Sequence, residues 1–109
     1  MQVQVNTDHT IGGHEALAAN IRSVVEGTLS RFSDHITRVE VHLTDENGNK
    51  GGPNDKRCMM EARLEGRQPI AVTNEAATVD GAVDGAADKL HKLIEGTLGR
   101  LHGHKDARD

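Results

Sequence analysis

Aromatic side chains are almost missing from this 109-residue chain: Phe32 stands alone, without a single Trp or Tyr. Sheet platforms that read nucleic acid by stacking bases need exposed aromatic rings, so that mode is excluded. Cysteine is equally scarce. Cys58 is the sole thiol and cannot close an internal disulfide, which fits a reducing compartment and leads us to expect a cytoplasmic protein. Positive charge is in deficit, with 13 Lys and Arg against 17 Asp and Glu and a net charge of -4. That balance argues against nonspecific electrostatic binding to nucleic acid and leaves room only for a local basic patch. No run approaches the roughly 18 apolar residues of a membrane span, and Met1 to Thr10 has neither the basic start nor the apolar stretch of a signal peptide. Nucleophile elbows, phosphate-binding glycine loops and zinc-protease motifs are absent, and no acid-base pair assembles. We therefore expect no enzyme, no cofactor and no small-molecule substrate.

What is present is a chain of single-domain length whose hydrophobic period switches between 2.0 and 3.6. Gln2 to Asn6 alternates, with Val3 and Val5 on one face, and predicts a first strand. From His14 to Phe32, Leu17, Ile21, Val24, Val25, Leu29 and Phe32 recur at three- and four-residue spacing and predict a helix. Thr37 to Thr44 is a second strand, with Val39, Val41 and Leu43 against Arg38, Glu40 and His42. Asp45 to Asp55, dense in Asn, Gly and Pro, is a loop. Lys56 to Glu65 is a third strand, with Cys58, Met60, Ala62 and Leu64 inward and Arg57, Met59, Glu61 and Arg63 outward. Pro69 to Asn74 is a fourth, with Ile70 and Val72 inward. Thr78 caps a final helix whose apolar stripe runs from Val79 through Leu90 and Ile94 to Leu101. The expected fold is α+β in the order β-α-β-β-β-α, a four-stranded sheet with two helices packed on one face. Residues 1–101 form the domain and 102–109 a flexible tail.

This whole pattern, with Leu29-Ser30-Arg31-Phe32-Ser33-Asp34-His35-Ile36 leading into Val39-Glu40-Val41-His42-Leu43 and the closing Asp88-Lys89-Leu90-His91-Lys92-Leu93, resembles the short ribosome hibernation-promoting and ribosome-associated inhibitor family, the subunit-interface or sigma-54 modulation proteins. The resemblance implies a cytoplasmic partner, the small ribosomal subunit and its ribosomal RNA, with occlusion of the tRNA and messenger path as the means of silencing translation. In that family the last helix carries a dense cationic row. Lys89 and Lys92 match it, while Glu95, Gly96 and Gly99 stand where further cations are usual. Arg100, Lys105 and Arg108 continue the cations toward the C-terminus, and Arg22, Arg31 and Arg38 add to them. Such residues act by neutralising phosphates.

A rival reading uses the same scaffold as a protein-protein interaction module that has lost RNA binding, self-associating through an open strand edge or a glycine strip. That strip, Gly81, Gly85, Gly96 and Gly99, shares the outward side of the last helix with Lys89 and Lys92. It suggests close approach by RNA, a second copy or the first helix near Gly27. Seven histidines invite a third reading, metal or pH sensing, but only His102 and His104 are near neighbours and we assign no metal site. Asp45 to Asn49 begins like a calcium loop, yet Lys50 and Lys56 occupy positions that need glycine and glutamate.

Overall fold

The computed structural model describes residues 1–7, 14–45 and 55–107, the side chains of residue 14 and of residues 100–107 excepted. Its elements are β1 (Gln2–Thr7), α1 (His14–Thr28), a 3-10 turn (Ser30–His35), β2 (Ile36–Asp45), β3 (Lys56–Leu64), β4 (Ile70–Ala76) and α2 (Val79–Ala107). The sheet order is β1-β2-β3-β4, with β1 parallel to β2 and the two later pairs antiparallel. This is the expected α+β architecture, with both helices on one side. No helix among the described residues is long and apolar enough to cross a membrane.

Alternation places Val39, Val41 and Leu43 of β2 and Cys58, Met60, Ala62 and Leu64 of β3 in the core. They meet Ile21 and Val25 from α1 and Ala82, Ala86, Leu90 and Ile94 from α2. α2 begins as its sequence specifies: the Thr78 hydroxyl accepts a hydrogen bond from the Gly81 N–H at 3.0 Å, capping the first turn. The β3–β4 turn needs a left-handed residue, and Gly66 supplies it with φ 72°.

Two expectations change, the end of the first helix and the exposure of the glycine strip. The first helix stops at Thr28 instead of Phe32, and the chain tightens into the 3-10 turn, where the Phe32 N–H donates to the Leu29 carbonyl at 2.9 Å. Residues three apart eclipse in such a turn, so Leu29 and Phe32 are both driven into the core. A register shift between Ile36 and Arg38 then lets Ile36 and Val39 both point inward, which strict alternation forbids.

The glycine strip is not outward along its whole length. A Cβ on Gly85 would lie 2.6 Å from Cγ of Asn74, and one on Gly81 would lie 3.2 Å from Cβ of Ala76. The element approaching this part of the helix backbone is therefore β4. Asn74 reaches across it, its amide donating to the carbonyls of Gly81 (3.2 Å) and Ala82 (3.3 Å). Only farther along does the strip open, at Gly99, where a Cβ would meet nothing within 4 Å.

Candidate nucleic-acid interface

The apolar stripe of α2 faces the sheet, so residues beside Leu90 emerge on its flanks. Lys89 emerges on the flank next to β4. As an edge strand, β4 has backbone groups without a strand partner, and the Lys89 ammonium donates to the Thr73 carbonyl at 2.9 Å. One turn on, Lys92 pairs with Asp88 at 3.2 Å, both side chains well exposed. Such a surface pair contributes only a few tenths of a kcal/mol and exchanges readily for another anion. Arg31, on the 3-10 turn, pairs with Glu95 of α2 at 3.5 Å, and its guanidinium carbon lies 5.1 Å from the Phe32 ring centroid. Phe32 in turn packs on His91, with ring centroids 5.0 Å apart. The only aromatic side chain is thus committed to joining the turn to α2. Lys92 and Arg31, both exposed, are held by carboxylates on the same helix, while Lys89 is bonded at the β4 edge.

The remaining expected cations lie elsewhere. Arg22 is exposed on α1 and borders a shallow groove of about 450 Å³ with Val5, Thr7, Glu15 and Ala18. Arg38 is on the opposite face of the sheet, one-third exposed, 2.7 Å from Glu40, which lies 3.6 Å from His42. Its Nε is buried without a hydrogen-bond partner among the described residues. Arg100 and Lys105 occupy helical positions late in α2, but their side chains, and Arg108 altogether, lie outside the described residues. His9, like Asn47 to Asn49 of the loop weighed for calcium, also falls outside them, as do the side chains of His102 and His104. Among the described residues no group of three or more His, Cys, Asp and Glu is placed to hold a metal ion.

The open sheet face carries rows of like charge that the sequence did not announce. Arg38 sits directly opposite Arg63, and Glu40 opposite Glu61. Facing like charges cost stability, and the Arg38–Glu40 contact along the strand relieves part of it. Beside them a second shallow groove of about 450 Å³ is lined by His42, Thr44, Arg57, Met59, Ala71, Val72 and Thr73. The pairing of Lys92 with Asp88 was readable as an i,i+4 spacing. The Lys89–Thr73 bond was not, because it depends on which strand forms the edge.

Comparison with known proteins agrees with this fold. The fold matches a ribosomal subunit interface protein from Coxiella burnetii, at a TM-score of 0.69 and 19% identity over 91% of this chain and 99% of that one. It also matches the N-terminal domain of Protein Y from Thermus thermophilus, at 0.66 and 22% identity over 89% and 99%. No curated protein matches by sequence. The family described as sigma 54 modulation protein / S30EA ribosomal protein matches residues 9–102. With most of its length accounted for by that match, the chain belongs to the sigma 54 modulation / S30EA ribosomal protein family.

Proposed function

We propose that this protein associates with the ribosome, docks on the small subunit through ribosomal RNA, and silences translation by occupying the path of tRNA and messenger. The observation that carries the reading is the family match across residues 9–102. The site we assign to it comprises Lys89, Lys92 and Arg31, of which Lys92 and Arg31 are held only by exposed carboxylates. The mechanism is steric and requires no bond to be made or broken. An RNA phosphate takes over Lys92 from Asp88 and Arg31 from Glu95, since each exposed pair is weak enough to be displaced. Lys89 serves a neighbouring phosphate from its position at the β4 edge. The displaced carboxylates remain close by, so the affinity is salt-sensitive and modest compared with a purely cationic row.

Co-sedimentation with isolated small subunits across a salt series tests this. The wild-type chain pellets at low salt and is released as salt rises, and Lys92→Glu lowers the slope of log affinity against log salt by about one. Lys89→Glu/Lys92→Glu abolishes pelleting. Lys92→Glu is the cleaner variant, because Lys89 also closes a backbone hydrogen bond. Wild-type protein that stays in the supernatant at every salt concentration overturns the proposal.

A further inference from the structure

The two edges of the sheet are treated differently. At β4, Lys89 covers the Thr73 carbonyl, Glu75 stands exposed on the strand and Pro69 precedes it. These are devices that discourage another strand from pairing. Among the described residues β1 shows no such charge or proline. Its six residues, Gln-Val-Gln-Val-Asn-Thr, include no charge and no proline, and its register with β2 runs unbroken from Gln2 opposite Arg38 to Thr7 opposite Leu43. Val3 and Val5 face the core yet are only half-buried, whereas their β2 partners Val39 and Val41 are 0% exposed. Among the described residues nothing covers the core along β1, and the groove lined by Val5, Thr7, Glu15, Ala18 and Arg22 runs along that margin.

We propose that a second copy of this chain docks on the β1 edge. β1 pairs antiparallel with β1 of the other copy about a two-fold axis normal to the sheet, and the two α1 helices lie antiparallel across the joined grooves. The chain's complementarity to itself selects this occupant. In a two-fold strand pair each residue meets its own symmetry mates, so a charge near the axis would meet its like; Gln2, Gln4 and Asn6 carry none. On α1, Glu15 and Arg22 are seven residues apart, two turns along one helix face. Neither makes an ion pair among the described residues. Turning one helix about an axis near Ala18 sets Glu15 of each copy opposite Arg22 of the other, twice over. Ala18, small and central, lets the helices approach to the roughly 8–10 Å of ordinary helix packing, within reach of a Glu–Arg pair. A parallel arrangement would oppose Glu15 to Glu15 and Arg22 to Arg22.

This inference does not depend on the ribosome reading and is tested without ribosomes. The mass of the wild type, Glu15→Arg, Arg22→Glu and the double swap is followed by sedimentation equilibrium over a concentration series, with far-UV circular dichroism confirming that each variant is folded. The wild-type mass rises from 11.7 kDa toward twice that value. Each single swap weakens the dimer by roughly tenfold or more, because two attractive pairs become two repulsive ones, and the double swap restores it. A wild type that remains monomeric at its highest soluble concentration overturns the proposal. So does a folded single swap that dimerises like wild type, or a folded double swap that fails to recover.

Discussion

Burial pushes the Cys58 thiol up to about 12, from an ordinary value of 9.0, because its β3 position faces a core with no charge to stabilise a thiolate. The neutral thiol is thus favoured in the folded chain only. Below pH 9 both states are protonated and nothing is lost. Between pH 9 and 12 the unfolded chain ionises while the folded chain does not, so stability falls as pH rises, by about 1.4 kcal/mol per pH unit from this group. Lys56 acts in the same direction. Its ammonium, clasped by Asp55 (3.2 Å) and Asp45 (3.3 Å), is raised above 10.5, chiefly by the Asp55 hydrogen bond and against the opposing effect of desolvation. Its contribution is complete below that value and is lost as pH climbs through the folded one. Denaturant melts of wild type and Cys58→Ala between pH 8 and 11 isolate the thiol: the alkaline loss is shallower in the variant, while the Lys56 part is common to both. Equal slopes would mean that Cys58 ionises as readily folded as unfolded.

Within α2, glycines at the two ends of the helix have opposite roles. Gly85 accommodates Asn74, whose amide bonds two helix carbonyls, and Gly99 faces open space. Gly99→Ala stabilises the fold by up to about 1 kcal/mol, the helix-propensity difference. Gly85→Ala gains the same propensity but expels the Asn74 amide, losing hydrogen bonds that contribute roughly 0.5–1.5 kcal/mol each, and is destabilising overall. Thermal melts of both variants check the pair. If Gly85→Ala melts at or above the wild type, Asn74 does not fasten β4 to α2. The same element shows why α2 begins with small residues: Gly81, Ala82, Gly85 and Ala86 allow close approach to β4. Leu90, Ile94 and Leu98 fill the wider space beyond.

At the scale of the whole molecule, a net charge of -4 leaves few cations to share among the surfaces. Lys92 and Arg31 are exposed on the helical layer, Lys89 is bonded at the β4 edge, Arg22 borders the groove beside β1, and Arg38 is behind the sheet. If the self-association surface and the ribosome surface both use α1, they compete through Arg22. Adding small subunits to a concentrated wild-type sample then lowers its dimer fraction in sedimentation velocity. A dimer that pellets intact with subunits instead places Arg22 outside the ribosome contact.

The element order, the alternating faces of the strands outside the irregular start of β2, and the apolar stripes of α1 up to Thr28 and of α2 were legible in the sequence, because the periods of 2.0 and 3.6 are local properties of the backbone. So was the Thr78 cap, a bond between residues three apart. Contacts between distant parts of the chain were not. Ending α1 at Thr28 depends on the room that α2 leaves for Phe32, and Gly85 makes sense only once β4 lies beneath it. Lys89 belongs partly to the fold because β4, three strands away from β1, turns out to be an edge. Likewise the expected cations divide among separate surfaces because their spacing along the chain carries no information about which side of the sheet each element occupies. The sequence determined which side chains are buried and which are free; only the tertiary structure decided which of the free ones meet.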